Sequence, residues 1–311
     1  MIYFPVFLTV FMHLVLPVAF IFWMYNAKAE SKLFFFSIVL LYTSYLVFLW
    51  LLGAGWGWLG VFWPKIFAIA FGLALFLRIK KGLPASWTVK KWSRPFFSTG
   101  LNLVLSAIFL AYILTFLNAR DFEGEALELE FPLAGGTFFV GHGGANKNVN
   151  QHYTVKAQRY ALDIMELNSF GTRARGLLPG APEKYQIFGN EIVAPCQGEV
   201  IAAKGHLTDQ RATVTDPDNL LGNHIILYCQ GHSILLAHLR EGSLKVEVGD
   251  MVSRGQPLAE VGNTGNTSEP HLHIHAVLGR HVEKNDIAFI GQGVAMTFGG
   301  RFLIRGDTIE N

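Results

Sequence analysis

The stretch SEPHLHIHAV, from Ser268 to Val277, places histidines at every second position: His271, His273 and His275. Alternate side chains of a β-strand point to the same face, so a strand here would present three imidazoles side by side. One imidazole can bind a metal ion while its neighbour faces what the ion binds, and hydrolytic zinc sites need both a ligand and an unligated base. The triplet alone also fits a histidine-rich surface strand or a structural metal site.

The chain around this stretch, from about residue 131 onward, is rich in glycine and in short apolar runs with a period of two. NEIVAPCQGEVIAAKG (190–205) and GNHIILYCQGHSILLAHL (222–239) are typical of strand pairs joined by tight turns. These patterns predict a mainly antiparallel β domain. Its two cysteines, Cys196 and Cys229, could form a disulfide in an oxidising compartment or be two unrelated buried thiols.

Residues 1–77 carry only four charged side chains, those of Lys28, Glu30, Lys32 and Lys65. A helix needs about 20 apolar residues to cross a bilayer, and four stretches of that kind predict four transmembrane helices. They run from Tyr3 to Tyr25, Leu33 to Leu52, Trp56 to Leu77 and Phe96 to Leu117. The third carries Pro64 and Lys65, and because a charge inside a membrane is costly, a kinked, partly re-entrant segment is an alternative there.

The charges of the loops predict the orientation of these helices. Six basic residues lie between residues 78 and 94, and the loop after the first span carries Lys28 and Lys32. Positive loops stay in the cytoplasm, so both termini should lie outside it. We therefore expect a multi-pass protein of the bacterial inner (cytoplasmic) membrane, with a transmembrane domain at 1–119 and an extracytoplasmic domain at 120–311. The formal net charge of +2 is too small to indicate a nucleic-acid partner.

Four segments of the β domain follow one another in a characteristic order along the chain. They are GNEIVAPCQGEV (189–200), GNHIIL (222–227), AHL (237–239) and VGDMVSRGQPLAEVGNTGNTSEPHLH (248–273). In this order the chain, over about residues 131–277, resembles the lysostaphin/LytM-type zinc metalloendopeptidases of bacterial envelopes. The resemblance implies a LytM-type peptidase domain that binds Zn²⁺.

The resemblance also implies roles for individual residues. His273, the second histidine of the His-x-His pair, would be a zinc ligand, and His271 would be a catalytic histidine beside the attacking water. His238, in AHL, would be its catalytic partner and would stabilise the oxyanion. Asp163, in QRYALDIMEL (158–167), would be another zinc ligand.

One position departs from the family pattern. The usual third ligand is a histidine four residues before the aspartate, and this chain has Arg159 there. His152, in NVNQHYTV (148–155), resembles the Asn-x-His of family variants, and we expect it to be the third ligand. His142, in GHGG, is the alternative ligand.

These expectations combine into one function. The protein would be a membrane-anchored zinc metallopeptidase that hydrolyses amide bonds in peptidoglycan stem peptides or cross-bridges. The lipid bilayer would hold it through the N-terminal helices. The alternative, which Arg159 favours, is a catalytically degenerate LytM-like adaptor that binds the cell wall or regulates another hydrolase.

Overall fold

The computed structural model describes residues 3–53, 55–283 and 286–311. The chain divides into two compact units, Met1–Leu117 and Asn118–Asn311. The first unit is helical and the second consists mainly of antiparallel strands. The predicted fold class is therefore confirmed.

The helical unit follows the apolar stretches of the sequence. Its α-helices are α1 (Tyr3–Val10), α2 (Leu16–Asn26), α3 (Lys32–Leu52), α4 (Trp56–Leu59), α5 (Trp63–Lys80) and α6 (Arg94–Leu117), and a π-helical turn, Phe11–Val15, joins α1 to α2. The Ser31 hydroxyl accepts a hydrogen bond from the Phe34 amide and so caps α3. Helix α3 packs against α6, and α2 packs against α5.

Three segments in the described part of the chain are long and apolar enough to cross a membrane: Val6–Asn26, Lys32–Leu51 and Arg94–Arg120. They correspond to the first, second and fourth predicted spans. The third predicted span is divided into α4 and α5 by Gly60, whose φ of 113° a helix does not tolerate. Helix α5 carries Lys65, Arg78 and Lys80 within its 18 residues, which sets it apart from the other three.

The second unit contains fourteen strands in its described residues. They are β1 (Leu127–Leu129), β2 (Thr137–His142), β3 (Leu162–Leu167), β4 (Glu191–Val193), β5 (Gly198–Lys204), β6 (Asn223–Cys229), β7 (His232–Leu239), β8 (Met251–Val252), β9 (Pro257–Glu260), β10 (Leu272–Leu278), β11 (Gly293–Val294), β12 (Met296–Phe298), β13 (Arg301–Phe302) and β14 (Thr308–Glu310).

The main sheet has the order β14-β2-β3-β10-β7-β6-β5-β8, with β11 paired to β10, and all of its neighbouring strands are antiparallel. Two small sheets flank it, β1-β12-β13 and β4-β9. The histidine-bearing strand β10 lies between β3 and β7. This order brings residues that are distant in sequence to one place on the sheet.

The core of the β unit lies beneath this sheet. Alternate residues such as Leu272, Ile274 and Ala276 of β10 are fully buried in it with aliphatic side chains from β3, β6 and β7. Since side chains alternate along a strand, the intervening histidines point to the opposite face. Cys196 and Cys229 form a disulfide next to this core, so the disulfide alternative holds for the two cysteines.

Candidate metal centre

The pairing of β3 with β10 forms the centre of the site. In the register of this pair, Asp163 lies directly opposite His273. The Asp163 carboxylate is 2% exposed, and its Oδ1 lies 2.9 Å from His273 Nδ1. A buried carboxylate is costly unless a positive group or several hydrogen bonds compensate its charge, so the groups around Asp163 define what the site can hold.

His152 reaches the carboxylate from a turn. It lies in a 3-10 turn, Gln151–Thr154, and its Nε2 is 2.9 Å from Asp163 Oδ2. The buried Asn150 caps this turn, since its Oδ1 accepts from the His152 amide and its Nδ2 donates to the Arg159 carbonyl. One ligand atom each of His152, Asp163 and His273 lie within 4.8 Å of one another, close enough to share a metal ion.

Two further histidines adjoin this group. His271 Nε2 lies 3.5 Å from Asp163 Oδ1, and the rings of His271 and His238 have centroids 4.9 Å apart. His238, His271 and His273 form a second group whose nitrogens lie within 4.8 Å of one another. His273 belongs to both groups and lies where they meet.

A β-bulge aims His238 at the site. In the β6–β7 pair, His224 lies opposite Ala237 and Asn223 opposite Leu239, so His238 is the extra residue. Its φ of 65° lies in the left-handed region, which is uncommon for a non-glycine residue. Bulges commonly redirect a side chain next to a functional site, and here the bulge turns the imidazole towards His271.

Backbone carbonyls fix the rings of His271 and His238, which are called the outer rings below. His271 Nδ1 lies 2.8 Å from the Glu269 carbonyl, and His238 Nδ1 lies 2.9 Å from the Thr264 carbonyl. A carbonyl only accepts, so each ring carries its proton on Nδ1 when neutral. Each neutral ring therefore leaves Nε2 unprotonated and able to accept a proton.

A glycine brings Thr264 close enough for this contact. Gly222 has a φ of 61°, and a Cβ there would collide with the Thr264 backbone. The Thr264 hydroxyl accepts from the Asn223 amide and donates to the Leu239 carbonyl, so it bridges the strands on either side of the bulge. The glycine of the GNHI motif thus supports the position of His238.

A buried ion pair holds the loop that precedes β10. Arg173 Nη2 lies 3.0 Å from Glu269 Oε1, and both side chains are buried. Arg173 belongs to the loop that follows β3, so the pair ties together the loops after β3 and before β10. Because the Glu269 carbonyl contacts His271 Nδ1, this pair also supports the position of the His271 ring.

Burial has the largest influence on the pKa values in the site, and the charges of neighbouring side chains have the second largest. Burial by itself would raise the pKa of Asp163, but His152 and His271 hold that pKa well below its usual range. Burial would likewise lower the pKa of His271, but the Asp163 carboxylate raises it above the ordinary value. Burial, with help from His271, keeps the pKa of His238 well below that of an exposed histidine. The two outer rings thus differ in basicity.

The structure distinguishes among the residues considered for the third ligand position. Arg159 is directed elsewhere, since its side chain is partly exposed, 3.6 Å from Glu123, and stacked over the Tyr153 ring. His142 lies opposite Asp163 across a bulge in the β2–β3 pair, but its Nδ1 accepts from Arg305 Nη2 at 2.7 Å. Among the described residues, His152 is the histidine that joins Asp163 and His273.

The donor set suits a zinc ion. Two imidazole nitrogens and one carboxylate oxygen are ligands that catalytic zinc sites use, with a fourth position left open. Asp163 Oδ1 and His273 Nδ1 are 2.9 Å apart, and a cation between them would be attracted to both. Residues of three elements, the 3-10 turn, β3 and β10, would supply the three ligands.

The comparisons with known proteins agree with this chemistry. Residues 184–284 match peptidase family M23, a metallopeptidase family. This chain therefore carries an M23 peptidase domain, as the resemblance to lysostaphin and LytM predicted. The match contains His238, His271 and His273, whereas His152 and Asp163 precede it. No curated protein matches the chain significantly.

Solved structures of M23 peptidases are similar to parts of the chain. A zinc-containing peptidase from Vibrio cholerae is 25% identical over 30% of this chain and 25% of its own, with a TM-score of 0.24. Lysostaphin is 21% identical over 40% and 38%, with a TM-score of 0.26. A putative M23 peptidase from Pseudomonas aeruginosa is 21% identical over 58% and 60%, with a TM-score of 0.28. The chain spans less than two thirds of the length of each.

Proposed function

We propose that this protein is a membrane-anchored zinc metallopeptidase that hydrolyses amide bonds in peptidoglycan, in the stem peptides or their cross-bridges. The observation that carries the proposal is the convergence of His152, Asp163 and His273 beside two histidines with unprotonated Nε2 atoms. The first three residues would hold the zinc ion. When bound, zinc would polarise the scissile carbonyl and acidify water.

His271 is the better candidate for the general base. Its Nδ1 proton is held by the Glu269 carbonyl, and its unprotonated Nε2 lies 3.5 Å from Asp163 Oδ1, directly beside the proposed zinc ligands. In hydrolysis, His271 Nε2 would take a proton from the attacking water as the C–O bond forms. It would then give that proton to the departing amine as the C–N bond breaks, so the ring ends neutral.

His238 would stabilise the oxyanion of the tetrahedral intermediate. Its Nδ1 proton is committed to the Thr264 carbonyl, so it can donate to an oxyanion only through a proton on Nε2. Burial keeps the ring neutral at rest, so we expect the Nε2 proton to come from solvent as negative charge develops on the substrate and to return to solvent when the intermediate collapses.

Three features support an action outside the cytoplasm. The apolar helices have the length and composition of membrane anchors, and the basic loop between residues 78 and 94 favours the cytoplasmic side. The Cys196–Cys229 disulfide suits an oxidising compartment. A domain anchored on the outer face of the inner membrane would reach the nearby cell wall.

The test uses the full-length protein purified in detergent. We expect about one zinc per chain and release of soluble fragments from cell-wall sacculi. The His271→Ala variant should lose this release and keep its zinc, whereas the His273→Ala variant should lose both. His232→Ala, at a partly exposed histidine at the start of β7, is the matched control and should change neither. Zinc-loaded wild type that leaves sacculi intact would instead favour the adaptor.

A further inference from the structure

A chain of two hydrogen bonds runs from the metal centre into the surrounding structure. His273 Nε2 lies 2.8 Å from His275 Nδ1, and His275 Nε2 lies 2.8 Å from the Ile287 carbonyl oxygen. The two rings cross at 80°, so that the ring nitrogen of one points at the edge of the other. His275 is 1% exposed, and its ring is therefore held by these contacts and not by solvent.

The direction of these hydrogen bonds follows from the last acceptor. The Ile287 carbonyl can only accept, so His275 must donate from Nε2. A neutral His275 then has a bare Nδ1, which accepts from a proton on His273 Nε2. A neutral His273 with its proton on Nε2 in turn has a bare Nδ1, and that atom lies 2.9 Å from Asp163 Oδ1.

We propose that His275 is a positioning residue that fixes the His273 ring in the tautomer required for metal binding. It would accept the Nε2 proton, orient the ring and leave the Nδ1 lone pair directed at a cation shared with Asp163. Ligating histidines generally donate their second N–H to such a partner, which also makes the ligand more basic. The inference rests on the proposed metal site and extends it by one residue.

This role explains why the strand carries a third histidine. An apolar side chain at 275 would leave the buried His273 Nε2–H without an acceptor, and a buried unpaired donor is destabilising. The ring could escape that cost by moving its proton to Nδ1, where Asp163 would accept it. In that tautomer His273 could not bind the metal through Nδ1, so the loss would fall on metal affinity.

The experiment measures zinc affinity of the full-length protein by competition with a chromogenic chelator. We expect His275→Leu to weaken binding by about 10- to 100-fold, the usual effect of losing such a partner. His275→Asn keeps a side-chain oxygen that can accept from His273 Nε2, and it should retain most of the affinity. His232→Leu, at a histidine whose Nδ1 contacts the Gln230 carbonyl away from the site, should bind zinc like wild type.

A second readout needs no variant. In zinc-loaded protein labelled with ¹⁵N-histidine, NMR should show the His273 ring proton on Nε2, with coupling across the hydrogen bond to His275 Nδ1. A proton on His273 Nδ1 would overturn the proposal, as would wild-type affinity in His275→Leu. These results are separable from the peptidase proposal: zinc loss in His275→Leu with intact sacculi in all samples would uphold the positioning role and refute the activity.

Discussion

Replacing His152 with alanine is the sharpest test of how this site is built. The His152 ring contributes one of three protein donors and contacts Asp163 Oδ2 at 2.9 Å. The substitution removes that donor and replaces no residue of β3 or β10, because His152 belongs to a separate 3-10 turn. The sheet should therefore keep its structure, and the effect should be confined to the bound metal.

The size of the effect follows from the number of donors. Structural zinc sites with four protein ligands bind with about 10–16 kcal/mol, which is about 2.5–4 kcal/mol per ligand. Loss of one ligand would then weaken zinc binding by about 60- to 700-fold. The His152 side chain is 18% exposed, so water can enter the vacated space and take the open position. We therefore expect a value towards the lower end of that range.

The assay is chelator competition on the full-length protein, with Arg159→Ala as the matched control. Arg159 occupies the position of the usual family ligand, but its side chain points towards Glu123 and Tyr153. Its removal should leave zinc affinity unchanged. An affinity of His152→Ala within about threefold of wild type, or an equal loss in Arg159→Ala, would refute the assignment of the third ligand.

Three other predictions concern stability and topology. The Cys196–Cys229 disulfide spans 33 residues, and replacing both cysteines with alanine should lower the free energy of unfolding by about 4 kcal/mol; an unchanged denaturation midpoint would contradict this. Burial lowers the pKa of His142 to about 4, below its unfolded value of about 6.5, so its contribution to stability should be complete above pH 6.5 and be lost as the pH falls towards 4. His142→Gln should flatten that dependence in thermal unfolding, and an unaltered slope would exclude His142 as its source. A reporter fused after Asn311 should be active outside the cytoplasm, and cytoplasmic activity would rule out the proposed orientation.

The parts of the site that depend on strand periodicity could be predicted from the sequence. His273 and His275 do share one face of β10, because alternation along a strand is a local property, and His271 directly precedes this strand and lies close to His273. Asp163 stood out as a carboxylate within an apolar run, and it lies opposite His273 in the sheet. The family resemblance supplied the pairing of these two segments, which periodicity alone does not provide.

Other parts depend on irregular backbone and could not be read from a pattern. The direction of His238 depends on a bulge and a positive φ, and bulges have no reliable signal in a single sequence. The third predicted span is interrupted at Gly60, although its hydropathy alone suggested a continuous helix. The acceptor for His275 is a carbonyl of the turn that follows β10, which only tertiary structure brings near.

Arg159 stands where the family usually has a histidine ligand, and on sequence alone this favours a degenerate site. The structure weakens that inference, because another histidine, His152, contacts Asp163. A ligand is defined by where its nitrogen lies and not by its distance from Asp163 in sequence. Asn150 binds the carbonyls of Gly144, Arg159 and Ala161, and this network folds the segment so that the turn bearing His152 lies against β3. A histidine eleven residues before the aspartate can therefore take the position that one four residues before it would otherwise hold. Loss of the local motif is not by itself loss of the site. The test of degeneracy is the metal content of the wild-type protein compared with that of the His152→Ala variant.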